Sequence, residues 1–164
     1  MTKHIVFVYG TLKRPYGNHR CIEGAEFLGN AVSVKANFIM KHIGVPILQQ
    51  QFGPLGAKLP LARVAGEVFE INDEQLARCD QLEGHPRMYK REERAFNLAL
   101  TSETFEMPEG QKRFEMITAW VYLWQRSLYG EDVPVVDGAY DWDPRKIVFT
   151  EDEDDDAEEE IIEE

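Results

Sequence analysis

The chain has 164 residues, near the usual size of one domain and long enough to enclose a core. With 43% hydrophobic and 11% aromatic residues it is not a disordered chain. Its net charge of -12 is concentrated in residues 151–164, which hold eleven acids and no base; residues 1–150 carry nineteen acids against eighteen bases and give no electrostatic ground for a nucleic-acid partner or an anionic membrane.

Taken in chain order, residues 5–9 (Ile-Val-Phe-Val-Tyr) form an unbroken β-branched and aromatic run, predicting a central strand buried on both faces and ended by Gly10. Residues 13–18 have loop chemistry, and residues 19–26 suit a short helix. Residues 31–40 alternate well enough for one strand, whereas residues 44–60, with Gly53-Pro54 and Gly56, read as turns and short extended pieces. Residues 64–71 alternate again. A helix follows, with Asn72 as N-cap, Asp73 and Glu74 at the positive end of its dipole, and Gln75 at the capping-box position. Gly84 stops it and Pro86 lies just beyond. Residues 89–100 and 114–124 predict two more strands joined by the turn Met107-Pro108-Glu109-Gly110, and an irregular aromatic stretch runs through Tyr129, Tyr140 and Trp142. No repeat or linker interrupts residues 1–150. One α+β domain, mostly antiparallel with few helices, accounts for this order.

Residues 151–164 have only Ala157, Ile161 and Ile162 to bury and repel themselves when compacted, so this tail is expected to be disordered. It reads as a solubilising extension or as an arm for a basic protein partner. Cys21 and Cys79 are too few for a disulfide framework and lack metal-type spacing, and the N-terminus has no signal-like apolar segment, so a cytoplasmic setting is the expectation. No stretch is long enough to span a bilayer as a helix.

Two motifs carry the chemistry. Tyr9-Gly10-Thr11-Leu12-Lys13 places a glycine-containing turn at the exit of an apolar strand, where backbone N–H groups can converge on an anionic group. Leu82-Glu83-Gly84-His85-Pro86 places a carboxylate at the end of a helix whose apolar side is marked by Leu76, Cys79 and Leu82. Glu83 lies seven residues after Leu76, only about 20° from it around the axis, and therefore faces the core side. Burial and the negative end of the helix dipole both disfavour its charge and bring it toward the neutral range useful to a general base. The alternative is a glutamate that curls outward at a frayed helix end. The chain has no phosphate-loop, G-x-S-x-G, H-E-x-x-H or paired C-x-x-C sequence, and His4, His19, His42 and His85 lack ligand spacing. No metal or cofactor is therefore expected. A donor-rich turn with one inward carboxylate suits acyl chemistry that needs no side-chain nucleophile.

In this order, with Gly44-Val45-Pro46, Gly66-Glu67 and the segment from Leu82 through Tyr89 to Arg91, the chain resembles the γ-glutamylcyclotransferase-like superfamily, including γ-glutamylamine cyclotransferases and AIG2-like proteins. The resemblance covers most of residues 5–124. It implies a small mixed, mostly antiparallel β-barrel with few flanking helices. It implies release of 5-oxoproline and an amine from a γ-glutamyl amide, by attack of the substrate's own α-amine on its γ-carbonyl. On it, Tyr9, Gly10, Thr11 and Leu12 bind the glutamyl group, Glu83 is the acid and base, and Tyr89 supports Glu83; Tyr122 either lines the pocket or only packs the core. Lys13-Arg14-Pro15 departs from the usual Lys-Arg-Gly, and Lys13 itself points away from glutathione as substrate. The acidic tail is not a family feature. The alternative is a module that binds γ-glutamyl compounds without turnover and recruits a partner through its tail.

Overall fold

The computed structural model describes residues 2–50, 60–99 and 114–144. Strand β1 (Lys3–Val8) leads through a turn into a 3-10 helix (Gly17–Ile22), then β2 (Glu26–Ser33), β3 (Phe38–His42), β4 (Pro46–Gln50) and β5 (Arg63–Asn72). Helix α1 (Asp73–Glu83) connects to the long strands β6 (Tyr89–Ala99) and β7 (Phe114–Trp124). Three two-residue strands follow: β8 (Glu131–Asp132), β9 (Val135–Val136) and β10 (Ala139–Tyr140).

The strands β1, β7, β6, β2 and β5 are hydrogen-bonded in that order, and β5 returns to β1, closing a five-stranded barrel. All its pairings are antiparallel except β1 with β7, which meet in parallel at Val6 and Trp120. Strand β10 adds in parallel to the edge of β5, and β3, β4 and β8 form a separate small sheet. The expected α+β architecture, a small and mostly antiparallel barrel with few helices, is what the chain forms.

Closure explains why β1 is apolar at every central position. Successive side chains of a strand point to opposite faces. Phe7 points into the barrel and stacks on Phe96, with ring centroids 4.0 Å apart. Val6 and Val8 face outward into a second core with Phe69, Ile71, Leu76 and Cys79, over which α1 packs. One strand thus belongs to two cores. Gly66 of β5 makes the close approach possible, since a Cβ there would lie 2.2 Å from the Val8 carbonyl oxygen and 2.7 Å from the Phe7 ring.

Helix α1 begins as its capping residues predict: the Asn72 side chain accepts from the Gln75 amide at 2.9 Å, and Gln75 reciprocates at 2.8 Å. At the other end Gly84 takes a left-handed conformation (φ 63°), and the His85 amide returns to the Asp80 carbonyl at 2.9 Å.

Three local expectations are corrected. The helix expected over residues 19–26 is a single 3-10 segment, Gly17–Ile22; Gly24, at φ 85°, ends it and Glu26 already belongs to β2. The strand expected over residues 31–40 breaks after Ser33. Its hydroxyl donates to the Lys35 carbonyl and accepts from the Val64 amide, both at 3.0 Å, which turns the chain off the barrel before β3. Within the expected turns of residues 44–60, Pro46–Gln50 is a strand paired with β3, the hairpin turning at Gly44 (φ 89°). The expected turn at residues 107–110, the Gly53-Pro54 and Gly56 punctuation, the domain limit at Thr150 and the acidic tail lie outside the described residues.

Candidate active site

The exit of β1 is a tight turn closed by the Lys13 amide on the Gly10 carbonyl at 3.0 Å. Its residues are held from four parts of the chain. The buried Tyr9 hydroxyl donates to the Tyr122 carbonyl at 2.6 Å. Gly10 lies against Pro46, whose Cγ would stand 2.6 Å from a Cβ on it, so a larger residue would push the start of β4 away. Asn18 donates its side-chain amide to the Thr11 hydroxyl at 2.7 Å, and His19 Nδ1–H donates to the Leu12 carbonyl at 2.8 Å. Lys13 is buried; its ammonium donates to the Trp142 carbonyl at 2.6 Å and pairs with Asp141 at 3.3 Å. The backbone N–H groups of Thr11 and Leu12 donate to no acceptor among the described residues. Because the Thr11 oxygen already accepts from Asn18, its own O–H remains available to donate. The turn thus presents three donors that the described protein leaves uncommitted.

Glu83 faces this turn across a cavity of about 200 Å³ lined by Tyr9, Gly10, Thr11, Leu12, Glu83 and Tyr89, all six of the residues expected from sequence. That volume is below the ~300–1,000 Å³ of sites enclosing a drug-sized ligand, and suits a group with the bulk of one amino acid. Glu83 is the last residue of α1, half-buried, and forms no hydrogen bond or ion pair among the described residues. Burial pushes its carboxyl up to about 7. No lysine, arginine or histidine is among the described residues lining the cavity, so nothing there draws it back down.

The neighbouring phenols do not compete for protons. Burial holds Tyr9, Tyr89 and Tyr122 well above the ordinary tyrosine range, and the Glu83 carboxylate raises Tyr9 and Tyr89 further. Their hydroxyls are already donating: Tyr89 to the Pro46 carbonyl at 3.3 Å and Tyr122 to Asp80 Oδ1 at 2.7 Å. Asp80, one turn before Glu83, also receives Arg91 Nε–H at 2.8 Å, and this fastens the end of α1 to β6 and β7. Cys79 lies in the core with its thiol pushed up to about 12, mainly by burial, so it is no thiolate nucleophile. Among the described residues no cluster of His, Cys, Asp or Glu could hold a metal ion. Glu83 is thus the one described group at the cavity that changes charge near neutral pH. The site can shuttle a proton at Glu83 and offer hydrogen-bond donors to an anion at the turn.

The cavity is also lined by Asn18, Val45, Pro46, Leu82 and Met88, which the sequence did not mark as site residues, and by Tyr122, which was left between pocket and core. Tyr122 does both, lining the cavity while buried in the outer core. Val45 and Pro46 had a signal in the Gly44-Val45-Pro46 segment, and Leu82 and Met88 in the segment from Leu82 to Arg91; Asn18 reaches the site through a seven-residue loop with no motif of its own.

A model of the family described as "Gamma-glutamyl cyclotransferase, AIG2-like" matches residues 6–143. The chain is similar to a γ-L-glutamyl-butirosin B γ-glutamyl cyclotransferase from Niallia circulans, 29% identical over 128 residues, covering 77% of this chain and 70% of that protein. It is also similar to a γ-glutamylaminecyclotransferase of Rattus norvegicus, 33% identical over 93 residues, or 52% of this chain and 58% of the relative. Among solved structures, an AIG2-like protein from Mus musculus superposes with a TM-score of 0.56 at 24% identity, covering 90% of this chain and 100% of its own, which speaks for the fold.

Proposed function

The chain belongs to the gamma-glutamyl cyclotransferase, AIG2-like family, and from that premise we propose that it cleaves a γ-glutamyl amide by letting the substrate's α-amine close on its own γ-carbonyl. The products are 5-oxoproline and the free amine. The ionised Glu83 takes a proton from the α-ammonium; the freed nitrogen attacks the γ-carbon. A new carbon–nitrogen bond forms, the amide carbon–nitrogen bond breaks, Glu83 returns the proton to the departing nitrogen, and the surplus proton on the ring nitrogen also passes to the departing amine, which leaves as its ammonium. The enzyme supplies no covalent partner, so its contributions are orientation, proton transfer and stabilisation of developing negative charge.

The residues divide this work. Thr11 and Leu12 offer their free amides, and Thr11 its hydroxyl, to the glutamyl group. Gly10 keeps the turn close against Pro46, Tyr9 fixes it from beneath, and Tyr89 packs behind the carboxyl and keeps it dry. The observation that carries the reading is the state of Glu83: half-buried, unpaired among the described residues and raised to about 7 at the wall of an amino-acid-sized cavity. Free Cys21 and Cys79 suit a reducing, cytoplasmic setting, which is part of this proposal.

The test is Glu83→Gln, which keeps the shape and removes the proton acceptor. 5-Oxoproline release from a panel of γ-glutamyl amides should fall at least ~100-fold in kcat/KM. Near-normal release would remove Glu83 from the role.

A further inference from the structure

Nine large apolar side chains are exposed among the described residues, and three of them, Val45 (41% exposed), Leu82 (40%) and Met88 (44%), line the one cavity that holds Glu83. Single exposed apolar residues are ordinary, whereas a group of them around a site marks a surface that something covers. Their positions are fixed. Val45 caps the β3–β4 hairpin, where its carbonyl accepts from Ile43 at 3.0 Å. Leu82 precedes Glu83 on α1. Met88 ends the turn whose amide returns to the Gly84 carbonyl at 3.0 Å, and its side chain folds over Gly84, 3.2–3.4 Å from where a Cβ there would sit. The three form an apolar collar at the cavity that holds Glu83.

Resting on the cyclotransfer reading, we propose that this collar is the subsite for the leaving amine, and that it selects amines bearing an apolar chain and no carboxylate. The argument is geometric and electrostatic. The departing nitrogen must come within reach of Glu83 to collect its proton, so its substituent leaves the cavity past the residues flanking that carboxyl. Leu82 is adjacent to it in the chain, and Met88 and Val45 complete the described apolar rim. The described cavity wall contains no Lys, Arg or His to meet an anion, and its one charge is Glu83 itself. A carboxylate carried by the leaving group would meet apolar surface and a like charge; an alkyl chain would cover about three half-exposed side chains.

The experiment measures kcat/KM for 5-oxoproline release from γ-glutamyl methyl-, ethyl-, propyl- and n-butylamide, and from γ-glutamyl-β-alanine as the anionic counterpart of similar length. The value should rise roughly twofold per added methylene, about half the effect of full burial, and the butylamide should exceed the β-alanine amide at least tenfold. In the double variant Val45→Ser, Met88→Ser the butyl-to-methyl ratio should fall toward one. Equal or better cleavage of the β-alanine amide, or a ratio unmoved by the double variant, overturns the collar while leaving cyclotransfer in place. If no amide in the panel yields 5-oxoproline, the cyclotransfer reading falls and the collar with it.

Discussion

The carboxyl of Glu83 is shifted by burial rather than by a charged neighbour, so both its chemistry and its cost are tied to how dry the cavity is. A base that must be ionised to act gives kcat/KM an acidic limb near pH 7, well above the ordinary glutamate range, and a pH–rate profile checks it. The same shift acts on stability. In the unfolded chain Glu83 loses its proton near pH 4.5, whereas in the folded protein it keeps it until about pH 7. Across that interval the unfolded state binds fewer protons, so stability falls as pH rises and levels off above pH 7. Glu83→Gln should accordingly unfold later than the parent at pH 8, by about 1–3 kcal/mol, with the gap gone by pH 4; denaturant melts at the two pH values decide it, and equal midpoints at pH 8 would contradict the shift. Thr11 is the complementary case. Thr11→Val removes a donor from the cavity and leaves the Asn18 amide without its 2.7 Å acceptor. We expect kcat/KM to drop about 10–100-fold while the acidic limb stays in place. A displaced limb would mean that the turn and the carboxyl titrate together.

At the level of elements, α1 was legible because its signals are local: the Asn72–Gln75 box and the Gly84 stop are read within a few residues and are met in hydrogen bonds. The inward face of Glu83 followed from the same periodicity. Leu82 was read as part of the apolar side and is instead exposed at the mouth of the site, because the helix runs out there and its last turn faces a cavity. Strand β4 was hidden among turn residues, since Pro46–Gln50 is ordered by pairing with β3 rather than by its own alternation. The break after Ser33 was equally invisible: one hydroxyl bridges residues 35 and 64, and only the second contact makes it decisive. Gly66 shows how narrow the tolerance between elements is. Gly66→Ala drives a methyl into the Val8 carbonyl and the Phe7 ring, two backbone-anchored neighbours of the β1–β5 seam. A loss of about 3 kcal/mol is expected in urea unfolding, and an unchanged midpoint would show that the seam can open at little cost.

On the scale of the molecule, fold class and half of the cavity wall could be read from one chain, but the closure that brings them together could not. The parallel contact of Val6 with Trp120 joins residues more than a hundred positions apart, and no local pattern announces it. What sequence does record is its consequence, a run over residues 5–8 of β1 that is apolar on both faces, because Phe7 serves one core and Val6 and Val8 the other. Pro46 reaches the site across the fold, whereas Asn18 and Met88 come from loops near Thr11 and Glu83 in the chain; none of the three stands out by composition or spacing. The buried Lys13 adds one more long-range tie. The five barrel strands are complete at Trp124, yet the turn that follows β1 is tied through the Lys13 ammonium to the carbonyl of Trp142. The turn that presents the donors is therefore held by a segment lying beyond the last barrel strand, so a chain stopped between Trp124 and Trp142 would keep all five barrel strands and lose this tie on the turn.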